Sequence, residues 1–139
     1  MAEATRSGAA ALPVRPGEKD WTEAELGEVR AELESEVTGL RADIAKAESA
    51  IAERIGDAVA DAGDDQADAG AKTFQREQEL ALTQNARELL AQNERALARM
   101  IAGTYGVCES CGQAIGKARL QAFPRATMCV SCKQREERR

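Results

Sequence analysis

The sequence predicts a mainly α-helical protein: a long antiparallel helical hairpin, or coiled coil, followed by a small four-cysteine module with a short C-terminal helix. Three observations predict this. Apolar residues recur at spacings of three and four through two long stretches that no proline interrupts. Charged residues make up 31% of the chain and aromatics only 3%, a balance that suits long solvated helices and narrow helix-helix seams better than a wide core. All four cysteines stand near the end of the 139 residues as two C-x-x-C pairs.

Residues 1–20 carry Ser7, Gly8, Pro13, Pro16 and Gly17 without periodicity and are expected to be a disordered tail. The hairpin is expected over 21–102. It opens on "WTEAEL", where Thr22 and Glu25 have the spacing of a reciprocal capping box, with Trp21 and Leu26 placed as a hydrophobic staple. An apolar stripe then runs from Leu26 through Val29, Leu33, Val37, Leu40, Ile44, Ala47 and Ile51 to Ile55. The stretch "GDAVADAGDDQADAG" interrupts it and predicts an acidic turn around 57–70. A second stripe is read at Phe74, Leu82, Ala86, Leu89, Asn93, Ala96 or Leu97, and Met100, with Gly103 placed to end the helix. Each stretch has one apolar stripe, so neither is stable alone in water; folding back as a hairpin buries both. The chain is expected to be a monomer, the alternative being helices that pair between chains.

Residues 103–139 form the cysteine module and a short C-terminal helix. The spacing C-x2-C-x17-C-x2-C of Cys108, Cys111, Cys129 and Cys132 falls in the range of a four-cysteine zinc site. Each C-x-x-C turn presents two sulfurs on one side of a tight knuckle, and zinc takes four thiolates tetrahedrally. Gly112 permits the left-handed backbone such a knuckle uses. The chain has no histidine, so an all-cysteine site is the one complete set available. One zinc ion per chain is therefore expected in a zinc finger, structural because four thiolates leave no open position. Disulfides suit an oxidising compartment, and a redox C-x-x-C pair suits a βαβ context that is missing here.

The stretch "YGVCESCGQAIGKARLQAFPRATMCVSC" resembles the DksA/TraR family of zinc-finger proteins, through its Tyr-Gly lead-in, "CESCG", Ile115, "RLQAFP" and "CVSC". The resemblance covers about residues 22 to 135. It implies a transcription regulator that binds RNA polymerase and inserts the hairpin into the secondary channel, often with guanosine tetraphosphate in the stringent response. The family's functional tip reads D-x-x-D-x-A; Asp65 and Asp68 match its acidic positions, and Gly70 stands where the family has alanine. Lys133 matches one basic position of the family's alarmone site. Phe123 and Gln92 stand where basic residues are found, so alarmone binding is expected to be weak or absent.

Charge and motif content bound the alternatives. From Gly103 onward there are seven Lys and Arg against three Asp and Glu, which leaves twelve against 21 of the chain's 19 and 24 for the rest. A modestly basic end on an acidic body is unlike a general DNA-binding surface, so sequence-specific DNA is not expected. A nucleic-acid-binding zinc ribbon and a zinc-stapled coiled-coil scaffold are the alternative readings. With no histidine and no phosphate-cradling glycine loop after a strand, an enzyme is not expected. No apolar run is long enough to span a membrane, and a soluble, cytoplasmic protein is expected.

Overall fold

A computed structural model describes residues 9–60 and 66–138. After a 3-10 turn at Ala9–Ala11 come four helices: α1 (Glu23–Ala60), α2 (Gln66–Ala102), α3 (Lys117–Ala122) and α4 (Val130–Glu137). Among the described residues there is no strand, only an isolated antiparallel bridge between Val107 and Ala114. At 1.5 Å per residue, the 38 residues of α1 extend about 57 Å. The chain divides into two compact units, one drawn from Met1–Glu36 with Gln92–Arg139 and the other being Val37–Ala91.

In Val37–Ala91, α1 and α2 run antiparallel, because Arg87 pairs with Glu48 at 2.9 Å and Arg54 pairs with Glu79. As the residue number rises along one helix, its partner's falls along the other. The stripe read on α1 is the one buried: Val37 and Ile44 are buried, with Leu40, Ala47 and Ile51 half-buried. On α2 the expected stripe is partly displaced. Phe74 and Leu82 are 62% and 69% exposed, while Arg76, Glu79, Thr83, Ala86 and Leu90 face inward to varying degrees. Those positions step by three and four, which the heptad seam requires. Phe74 and Leu82 fall out of that register, whereas from Ala86 onward the stripe read in the sequence holds: Ala86 and Leu89 are half-buried, and Asn93 and Ala96 are buried. Thr83 tolerates burial because its hydroxyl donates to the Glu79 carbonyl one turn back at 2.8 Å.

The expected break around 57–70 is narrower than anticipated: α1 continues to Ala60 and α2 begins at Gln66. Alanine-rich sequence favours helix enough to carry both helices into the glycine- and aspartate-containing stretch.

The other unit holds the main core, in which Leu26, Val29, Leu33, Ala96, Trp21, Tyr105, Ile115 and Leu120 are buried together with Cys108. α1 starts as expected: the Glu25 N–H donates to Thr22 Oγ1 at 3.1 Å, and the Thr22 N–H donates to Glu25 Oε1 at 3.0 Å. α2 ends on Gly103 at φ 79°. The Thr104 N–H reaches the Arg99 carbonyl at 2.9 Å and the Gly103 N–H reaches Met100 at 3.3 Å, the paired bonds that close a helix on a left-handed residue.

The expectation of a disordered tail over 1–20 needs correcting for its described part. Ala9 and Leu12 are 1% and 4% exposed and belong to the main core. The Ala9 N–H donates to Glu23 Oε1 at 3.3 Å. A segment with no internal periodicity is ordered here by docking on distant residues, which local pattern does not report.

Candidate metal centre and the basic crevice beside it

The finger is built from two knuckles. In the first, the Cys108 N–H bonds to the Gln113 carbonyl at 2.8 Å and the Gly112 N–H returns to the Cys108 carbonyl at 3.0 Å. Gly112 sits at φ 76°, where a side chain would be strained. The Ile115 N–H on the Gly106 carbonyl, at 2.8 Å, closes the loop behind it. In the second, Cys129 precedes α4 and Cys132 lies within its first turn. The Glu109 N–H bonds to the Thr127 carbonyl at 2.9 Å and ties the knuckles together. Tyr105, buried to 1%, donates its hydroxyl to the Pro124 carbonyl at 2.8 Å and braces the connecting loop.

The four cysteine Sγ atoms lie within 4.8 Å of one another, and Cys111 Sγ is 3.9 Å from Cys129 Sγ. Zinc bonded to four sulfurs at about 2.3 Å spaces them about 3.8 Å apart, so the cluster fits the ion. The thiols also show the strain of sharing one site. Burial works to raise the Cys108 thiol, but the N–H groups of Cys111, Cys129 and Ser110 outweigh it and hold its pKa down at about 6. At Cys111 the Gln113 N–H lowers the pKa, while burial and the three neighbouring sulfurs bring it up to about 11. The Ser110 hydroxyl, aided by Arg135, lowers Cys132 against its burial; Arg135 Nη2 lies 3.2 Å from Cys132 Sγ. Four thiolates this close repel one another, so ionising the whole set calls for a cation among them.

Of the expected tip residues, Asp65 lies outside the described residues and Asp68 is described only as part of the α2 backbone. Gly70 is helical and exposed, and a Cβ there would meet nothing within 4 Å. The structure brings together the three positions singled out around the alarmone. Gln92, Phe123 and Lys133 line one crevice of about 430 Å³, in company with Arg95, Arg119 and Arg125. Sequence reading counts Arg119 and Arg125 only toward the positive charge of the finger and passes over Arg95. None of the three was placed with the alarmone positions, although "RLQAFPR" carries two of them within a few residues of Phe123. Arg95 is paired with Glu109 at 2.6 Å. Arg119 donates to the Met128 carbonyl at 3.2 Å and lies 5.7 Å from the Phe123 ring centre.

A paired-knuckle cluster of four cysteines, in a chain that also folds two long antiparallel helices, defines a four-cysteine zinc-finger protein of the hairpin type. Residues 103–138 match the prokaryotic dksA/traR C4-type zinc finger. The RNA polymerase-binding transcription factor DksA of Escherichia coli (strain K12) is 30% identical over 119 residues, 86% of this chain and 76% of that protein. That of Caulobacter vibrioides (strain NA1000 / CB15N) is 43% identical over 75 residues, 54% of this chain and 53% of that protein. The chain thus spans about half the length of the Caulobacter relative that it matches. The structure of transcription factor DksA2 from Pseudomonas aeruginosa superposes with a TM-score of 0.67 at 30% identity, covering 84% of this chain and 85% of that one. The chain belongs to the DksA/TraR family, and its cysteine centre holds one structural zinc ion. When bound, the zinc supplies cross-linking between the knuckles, and the closed thiolate set leaves it no catalytic position.

Among the described residues no helix is long and apolar enough to cross a membrane.

Proposed function

We propose that this chain regulates transcription by binding RNA polymerase, with the acidic turn between α1 and α2 entering the secondary channel, and that it is not an enzyme. The observation that carries this reading is the match along 86% of the chain to a protein named as an RNA polymerase-binding transcription factor. The spacing of Asp65, Asp68 and Gly70 supports the tip assignment. A rod ending in carboxylates brings negative charge to a site rich in metal ions and basic groups. Gly70 departs from the family's alanine in open space, so its direct effect is on helix propensity, about 1 kcal/mol less favourable than alanine.

A contact with guanosine tetraphosphate is a second part of the proposal. Gln92 and Phe123 lack the charge expected at their positions, but Arg119, Arg125 and Lys133 line the same crevice. Guanidinium groups suit phosphate through paired donors. The contact is proposed to be weaker than in a chain with all basic positions filled, because Arg95 already serves Glu109.

The test is in vitro transcription with purified polymerase, with and without the alarmone, comparing the wild type with Asp65→Asn/Asp68→Asn. The double variant is expected to bind polymerase yet lose its effect on initiation. A double variant as potent as the wild type would sink the channel mechanism. Salt-sensitive binding to naked DNA in place of polymerase would favour a nucleic-acid-binding zinc ribbon.

A further inference from the structure

Residues 9–20 do more than lean on the finger. The Glu18 carboxylate joins chain segments about a hundred residues apart: Oε1 accepts the Lys117 N–H at 2.9 Å and Oε2 accepts the Ala118 N–H at 3.0 Å. The same carboxylate folds its own segment by accepting the Arg15 N–H at 2.8 Å. Two nearby ties reinforce it. Lys117 Nζ donates to the Asp20 carbonyl at 3.3 Å and pairs with Glu25 at 2.5 Å.

The finger is shaped to receive this segment. Gly106 and Gly116 are both buried, with φ of 92° and 116°. A Cβ on Gly116 would stand 3.0 Å from the Arg15 side chain; one on Gly106 would crowd Leu120 at 3.3 Å and meet Pro13 at an ordinary contact distance of 3.7 Å. At the far end, Ala9 and Leu12 enter the core that also contains Cys108, Cys129 and Cys132. Between these anchors, residues 13–16 form one wall of a crevice of about 610 Å³. Its other wall includes Cys111, Cys129, Cys132 and Arg135. The segment is therefore fastened at both ends and faces three of the cysteines across that crevice.

We propose that residues 9–20 are a strap over the zinc centre, and that strap docking and zinc retention are coupled. Zinc holds the knuckles in the arrangement that presents the Lys117 and Ala118 N–H groups and the two glycine surfaces. The docked strap in turn holds the knuckles together on the crevice side and restricts the approach of competing ligands to the sulfurs. Such coupling is reciprocal. The inference rests on the zinc site alone and stands whether or not the chain binds polymerase.

The test is zinc release from the full-length, zinc-loaded protein into a colorimetric chelator, 4-(2-pyridylazo)resorcinol. It is run beside trypsin cleavage after Lys19 as a measure of strap detachment. Glu18→Gln removes the charge that holds the α3 amides; Leu12→Ala removes the apolar anchor and leaves those amides their carboxylate. Both variants are expected to be cut faster and to hold zinc about fivefold more weakly or worse, read as greater release to the chelator at equilibrium, the lower end of usual coupling between sites. Faster cutting with zinc release unchanged would overturn the coupling. Greater release in Glu18→Gln but not in an equally cut Leu12→Ala would reduce Glu18 to a local brace of the finger and overturn the strap. Cutting unchanged in both would show that these anchors do not hold the segment. If Glu18→Gln fails to fold, Leu12→Ala alone decides.

Discussion

The two units of this molecule are held by different means. The finger-bearing unit has a contiguous core with Leu33, Tyr105, Ile115 and Leu120 exposed by 1% or less, and a metal centre at its edge. In Val37–Ala91, the side chains that reach full burial among those described are Val37, Ile44 and Thr83, and one of these is polar. Helix propensity, a thin seam and exposed ion pairs carry the rest, and exposed pairs contribute little. The difference teaches that a long helical arm needs little core of its own, whereas a small irregular finger needs a metal, a dense core and a strap.

Zinc removal should separate the units most sharply, because structural zinc in small fingers contributes about 10 kcal/mol or more of folding free energy. Amides of 103–138 should lose hydrogen-exchange protection on chelation, while those of Val37–Ala91 keep most of theirs. Loss of both together would show that the units fold as one. Next in size, Leu120→Ala should cost about 3 to 4 kcal/mol and Ile44→Ala about 2 kcal/mol in urea unfolding with zinc present. Leu120 is completely buried, and Ile44 is 8% exposed in a seam that can close over a small loss. Equal costs would mean the arm is packed as tightly as the base. The smallest effect sharpens the contrast: Thr83→Val keeps the branched shape and removes a buried hydroxyl. It should raise stability by about 0.5 kcal/mol, seen as a small rise in Tm. A clear loss instead would give that hydroxyl a structural role beyond its bond to Glu79.

Much of this was legible in the sequence because the signals were local. The capping box at Thr22 and Glu25, the end at Gly103 and the stripe on α1 each depend on residues within a few positions. The cysteine cluster was legible because zinc geometry leaves few spacings. What failed was non-local. The seam of α2 follows the register that α1 imposes, so Phe74 and Leu82 face solvent while Thr83 is buried. Residues 9–20 look structureless because Glu18 finds its partners at Lys117 and Ala118. The arginines of the basic crevice could have been found, since Arg119 and Arg125 flank Phe123 on both sides.

Trp21 and Tyr105, the chain's single tryptophan and single tyrosine, are 2% and 1% exposed, with ring centres 6.2 Å apart. Lys117 Nζ, which ties the strap's end to the finger, stands 5.9 Å from the Trp21 ring. The protein therefore carries an optical gauge in the unit that holds the metal. Tyrosine excitation should reach the indole by energy transfer over that short gap, and entry of water should shift the emission to the red. Val37–Ala91 holds neither tryptophan nor tyrosine, so with excitation beyond the phenylalanine band bending or docking of the arm should stay dark while loosening around Trp21 and Tyr105 is visible without a label.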